Sequence, residues 1–247
     1  MPPSRIIRFG PLDTDLYEVW EPSPGTAAGI TVPLVHGGLW LADYDRGYLR
    51  PLANALAWEG LHVALIEYAR VGMPGGGWPG TGESVLAAMA AASADADLPD
   101  IHVSVGHSSG GHLVGWAASE DRAPWLRGAV TMAAVLDLHS ADAADPVASA
   151  AIRQLLGGGP NEAVGAWADA DPMRQRLTVP TVVMHGRQDP DVPVQLAMLY
   201  VRSRTAQEPA CRLEIVDDCD HFGLVNPGHP AFETLVSAIR QLAAAEP

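Results

Sequence analysis

Five residues, Gly106-His107-Ser108-Ser109-Gly110, set a serine hydroxyl between two glycines in the pattern G-x-S-x-G. A β-branched run over 101–105 precedes them, and a helical pattern over 112–119 follows. A sharp strand-to-helix turn strains the backbone of its central serine and exposes the oxygen; residues two before and two after must then be tiny. The helix turns the positive end of its dipole toward that oxygen, which favours developing negative charge. Ser108 is the expected nucleophile. Ser109 is its rival, but the glycines centre on Ser108. A Gly-Ser turn without chemistry is the plainer alternative, which the strand and helix on either side weigh against.

A serine hydroxyl attacks poorly without a base. Of nine histidines, His221 is the best placed, in the polar run Asp217-Asp218-Cys219-Asp220-His221-Phe222-Gly223 just past the last apolar run. His36 and His185 precede glycine at strand ends, His107 and His112 flank the serine turn, His62 and His102 begin strands, and His139 and His229 fall in loops. An imidazole base needs an anion to fix its tautomer and steady its cation. Asp189, in His185-Gly186-Arg187-Gln188-Asp189, follows the penultimate strand pattern and is the expected partner, with Asp191 as the alternative. His36-Gly37-Gly38-Leu39-Trp40 adds a fourth element, because glycines let backbone amides approach a developing oxyanion. The expected donors are the amide of Ser109 and one or two from Gly37, Gly38 and Leu39, with a simple turn as the alternative. Together these groups would run acyl transfer to water: His221 takes the Ser108 proton, Ser108 attacks a carbonyl carbon, and water then hydrolyses the acyl-enzyme.

The elements that must position these residues alternate along the chain. Strand-like runs occur at 16–20 (read as an edge strand), 31–35, 61–67, 101–105, 126–134, 181–185 and 212–216. Helical patterns lie at 50–59, 83–94, 112–119, 194–204 and 231–244, and a helix-rich stretch over about 139–177 fits a small cap insertion. This alternation signals a mostly parallel sheet covered by helices on both faces. At 247 residues with 48% hydrophobic content, one α/β domain over 1–247 is expected rather than two. The glycine-rich run 71–80 has neither G-x-G-x-x-G spacing nor a P-loop lysine, so it reads as a loop.

Composition removes several function classes. The net charge of −14 argues against nucleic acid and anionic membranes. All 15 basic residues are arginine, which excludes Schiff-base chemistry and Ser-Lys dyads. No signal-like apolar region lies within 1–16 and no 18-residue apolar run occurs, so a cytoplasmic protein is expected. Cys211 and Cys219 bracket a strand that would hold them too far apart to pair, so both are expected as free thiols. No metal-ligand spacing stands out, and His107 and His112 are five apart, off one helical face.

HGGLW, GHSSGGH, HGRQD followed by PDVP, and DCDHFGL, in that order, resemble the α/β-hydrolase superfamily over about residues 15–245. Within it they look most like the kynurenine formamidases (arylformamidases) and small HGG-motif esterases. The order Ser, Asp, His is that of this fold. One departure is Ser109, where many relatives carry alanine. The resemblance implies an α/β-hydrolase fold and a serine hydrolase of a small ester or amide, an N-formyl aryl amide being the narrowest form. It implies no cofactor and no metal. The partner is a small-molecule substrate, with a homodimer left open. Trp40, Tyr44, Trp78 and Phe222 lie near the motif loops and are the candidates for an aromatic-binding pocket, although core packing would also use them. The alternatives are a short-chain carboxylesterase and a non-hydrolytic member of the fold with a binding, cyclisation or lyase role.

Overall fold

A computed structural model of the chain describes residues 2–204 and 209–245; Met1, 205–208 and 246–247 of the expected domain lie outside the described residues. Eight strands form one sheet: β1 (Arg5–Arg8), β2 (Leu16–Trp20), β3 (Ile30–Val35), β4 (His62–Ile66), β5 (Ile101–His107), β6 (Leu126–Met132), β7 (Thr181–Gly186) and β8 (Cys211–Val216). Their order across the sheet is β1-β2-β4-β3-β5-β6-β7-β8. β1 and β2 pair antiparallel, as do β2 and β4, and every other pairing is parallel. This is the mostly parallel sheet of the α/β-hydrolase fold.

Every residue of β3 is buried, and β4 to β7 are nearly so, which is why these strands read as continuous apolar runs rather than alternating ones. Helices α1 (Arg50–Trp58) and α8 (Ala231–Ala244) cover one face, packing Leu52, Leu56, Leu235 and Ile239 with Leu34, Val63 and Val103. Helices α2 (Gly80–Ser93) and α3 (Ser109–Ala117) cover the other face through Val85, Met89, Leu113 and Trp116. Helix α7 (Val194–Ser203) packs Ala197 and Tyr200 near β7.

The edge position expected for 16–20 belongs instead to β1. All five β2 residues are buried between β1 and β4, while β1, with the sequence RIIR, alternates half-buried with exposed. Two isoleucines between arginines give too short an apolar signal to stand out in the sequence. Helix α3 also begins three residues before its expected start at 112, because Gly110 and Gly111 lower helix propensity just where the turn needs small residues.

The helix-rich stretch after β6 forms α4 (Leu138–Ala144), α5 (Pro146–Leu156) and α6 (Val164–Ala170) before β7. Asp145 caps α5 by accepting from the Ala148 amide, Pro146 takes its first position, and left-handed Gly157 (φ 79°) ends it. Its buried face, Ile152, Leu155 and Leu156, joins Trp167 and Ala170 of α6 in the core on the α2–α3 side. Both cysteines are free thiols. Among the described residues no helix is long and apolar enough to cross a membrane.

Candidate active site

Parallel strands β3, β5, β7 and β8 all end at one rim of the sheet, and each predicted motif follows one of those ends. At the end of β5, Ser108 adopts φ 55°, ψ −123°, a left-handed conformation that a non-glycine residue takes only under constraint. Its amide donates to the Met132 carbonyl of β6 at 2.8 Å, and its carbonyl accepts from the His112 amide at 3.0 Å. The flanking glycines answer to close contacts. A Cβ on Gly106 would run into the Gly110 carbonyl, and one on Gly110 into the carbonyls of Val35 and His36. All nine residues of α3 are buried, so the helix packs on every side and holds the turn rigidly.

Asp189 and His221 meet from the loops after β7 and β8. His221 Nδ1 donates to Asp189 Oδ2 at 2.8 Å; the Asp189 side chain is fully buried and that of His221 is 6% exposed. The other Asp189 oxygen accepts from the amides of Asp191 (2.9 Å) and Val192 (2.8 Å). Burial alone would raise this carboxyl's pKa, but hydrogen bonds from His185, His221 and the Val192 amide outweigh it and hold the group well below the usual carboxylate range. Asp191 is exposed and offers its amide, not its carboxylate, to this cluster. Asp189, Asp191 and His221 have ligand-type atoms within 4.8 Å of one another. Of the three, Asp189 and His221 are bonded to each other and Asp191 stands exposed.

The link between the serine turn and the His221 loop runs through His107, the residue before Ser108. The His107 ring lies 4.7 Å from the His221 ring, and His107 Nε2 donates to the His221 backbone carbonyl at 3.0 Å. No hydrogen bond joins Ser108 Oγ to the imidazole, a contact that commonly tightens only when substrate is bound.

The HGG loop lies against the serine turn: a Cβ on Gly37 would sit 2.9 Å from Ser108 Cβ. Its expected role needs one correction. The Gly37 amide donates to the Tyr48 hydroxyl at 2.7 Å, so it is not free for an oxyanion. Gly38 and Leu39, with φ of 114° and 56°, are the loop residues whose amides remain, beside the Ser109 amide at the first position of α3, which no helical carbonyl can reach. Behind the loop, Glu67 accepts from His36 Nε2 (3.0 Å) and Arg46 (2.7 Å) and pairs with Arg70. Burial would raise the Glu67 pKa, but these partners outweigh it and hold it at about 2. His36 is therefore structural, as its place before a glycine suggested.

The four aromatic candidates separate into two pairs. Trp40 is 1% exposed and donates its indole N–H to His112 Nδ1 at 3.2 Å. Trp78 is half-buried, stands edge-on to Trp116 at 4.9 Å and donates to Asp169 of α6 at 2.7 Å. Trp40 finds its polar partner inside the fold, whereas Trp78 reaches Asp169 at the surface. Tyr44 and Phe222 are half-exposed or more: Tyr44 lies over Gly38, and Phe222 stands edge-on to His221 at 5.2 Å. Tyr48, just before α1, escaped the sequence reading altogether. Nothing in the local spacing marks it, since its role arises only when the chain before α1 folds back onto the rim.

The fold is that of an α/β-hydrolase, and the class is that of serine-type hydrolases. Residues 84–235, a stretch that includes Ser108, Asp189 and His221, match the model of the prolyl oligopeptidase family, and the chain belongs to that family. Among solved structures, a truncated carbohydrate esterase from gut microbiota is similar at 15% identity and TM-score 0.81, over 98% of this chain and 97% of that one. Esterase B from Lactobacillus rhamnosis is similar at 16% identity and TM-score 0.80, over 99% and 87%. A bifunctional GH43-CE protein of Bacteroides eggerthii reaches 18% identity and TM-score 0.80 over 96% of this chain, which spans 37% of that protein's length. At such identities the likeness shows the fold. No match appears among curated proteins.

Proposed function

We propose that this protein hydrolyses a small carboxylic ester or activated amide through an acyl-enzyme, with Ser108 as nucleophile, His221 as base and Asp189 as its orienting anion. The observation that carries this reading is the 2.8 Å bond from His221 Nδ1 to a fully buried Asp189 carboxylate. That bond leaves Nε2 as the lone-pair nitrogen able to take the Ser108 proton. Ser108 attacks the carbonyl carbon, and the amides of Ser109, Gly38 and Leu39 receive the negative oxygen. The leaving group departs with the proton from His221. Water, deprotonated by the same imidazole, then releases the acid.

The narrowest form of the proposal is an N-formyl aryl amide, with the exposed rings of Tyr44 and Phe222 flanking the aromatic part. Short-chain ester hydrolysis is the second reading; it draws support from the esterase titles of the similar structures. A panel comparing N-formylkynurenine, p-nitrophenyl esters of increasing chain length and an aminoacyl p-nitroanilide separates them. A larger kcat/KM for the formyl amide supports the narrow form, and a maximum at acetyl or butyryl esters supports the second. Turnover of the anilide alone would contradict both.

A further inference from the structure

The loop after β3, the turn around Ser108 and the loop bearing His221 come from distant stretches of sequence, yet one hydrogen-bond chain threads all three. The Gly37 amide donates to the Tyr48 hydroxyl at 2.7 Å, that hydroxyl lies 2.9 Å from His107 Nδ1, and His107 Nε2 lies 3.0 Å from the His221 carbonyl oxygen. Valence sets the direction of each bond. An amide only donates, so Tyr48 accepts from Gly37 and its single proton goes to Nδ1. The proton of a neutral His107 ring then sits on Nε2 and goes to the His221 carbonyl. Burial pushes the Tyr48 phenol up, and burial, with the neighbouring His221 next, pulls His107 down to about 3, so both groups stay neutral and the chain keeps its direction. His107 is 1% exposed and Tyr48 37%, and the Phe222 ring stands 5.7 Å from His107 and 6.4 Å from Tyr48.

We propose that Tyr48 and His107 form a positioning pair for the hydrolysis described above, holding the oxyanion loop and His221 in register with Ser108. The inference rests on that functional reading and adds to it. By taking the Gly37 N–H, Tyr48 fixes the peptide plane from which the Gly38 and Leu39 amides follow. By binding the His221 carbonyl, His107 fixes the backbone from which the catalytic imidazole extends. His107 is also the residue immediately before Ser108, so both contacts are referred to the nucleophile itself. A polar pair here has a purpose beyond filling space, because loops of this kind lose rate when displaced by about an ångström.

The test uses Tyr48→Phe, which removes one oxygen, His107→Phe, which removes both ring nitrogens, and His107→Gln, which keeps an amide donor. Sites are counted by fluorophosphonate titration, and labelling rate, kcat and KM for p-nitrophenyl acetate are measured per active site. Tyr48→Phe and His107→Phe should each lower kcat and labelling rate about 10- to 100-fold, with KM within about two-fold. The double variant should be no slower than the slower single, since the pair acts as a unit. His107→Gln should recover part of the loss. Rates within about two-fold of wild type in Tyr48→Phe, or losses that multiply in the double variant, would overturn the inference. So would a loss confined to the number of titratable sites, which is what a purely structural role gives. Wild-type protein that takes no label, or label persisting in Ser108→Ala, would overturn the functional reading and this inference with it. Normal labelling at Ser108 with an unaffected Tyr48→Phe would overturn the positioning role alone.

Discussion

At the scale of single residues, the site works by placing opposite demands on neighbouring groups. Ser108 is held at φ 55°, a conformation that costs on the order of 1–3 kcal/mol and persists only because α3 and β6 hold it on both sides. Asp189 is held ionised although its side chain is fully buried, because His185, His221 and the amides of Asp191 and Val192 converge on it. Asp191, two residues on, has the same chemistry but stands exposed. The two aspartates therefore make a discriminating test. Asp189→Asn keeps the shape but turns an NH2 toward the imidazole and favours the wrong tautomer, and should lower kcat about 10⁴-fold. Asp191→Asn should stay within about three-fold, as expected for an exposed group with no bond to the imidazole. Steady-state kinetics on one ester decides it, and the reverse result would move the anion's role to Asp191.

At the scale of elements, β5 and α3 carry most of the site's geometry, and each bears one buried histidine next to the serine turn. His107 closes β5, while His112, inside α3, accepts from the Trp40 indole and donates to the Ala170 carbonyl at 2.9 Å, tying the loop after β3 to the helices between β6 and β7. Burial lowers their pKa values to about 3 and about 4. An unfolded histidine titrates near 6.5, so between that value and the folded ones the unfolded chain binds more protons. The stability these groups give is complete above about pH 6.5 and lost as pH falls toward 4 and then 3, at up to about 1.4 kcal/mol per pH unit for each ring. Urea midpoints should therefore fall between pH 7.5 and 5, before most carboxylates protonate. A midpoint constant over that range would contradict the buried, neutral state of both rings. These same elements show why sequence reading was uneven. The buried β-branched runs of β3 to β7 were legible from composition, whereas β1 had two apolar residues to declare it and the start of α3 was masked by the glycines that the turn requires.

At the scale of the whole molecule, residues from 37 to 221 meet because parallel strands end at a common rim. That convergence was legible: each motif lay just past a strand pattern, and the structure joins Asp189 to His221 directly. Cross-chain hydrogen bonding was not legible. The sequence offered Gly37 as one of three loop amides, and only the folded chain, which swings Tyr48 against it, removes Gly37 from the set. In the same way the polar partners of the Trp40 and Trp78 indoles, His112 of α3 and Asp169 of α6, come into reach only in the folded chain. The central claim is that the rim makes one particular hydroxyl reactive. Its most direct measurement is the site of fluorophosphonate attachment, mapped by peptide mass in wild type, Ser108→Ala and Ser109→Ala. The account predicts one adduct on Ser108, retained in Ser109→Ala and absent from Ser108→Ala; an adduct on Ser109, or undiminished labelling of Ser108→Ala, would contradict it.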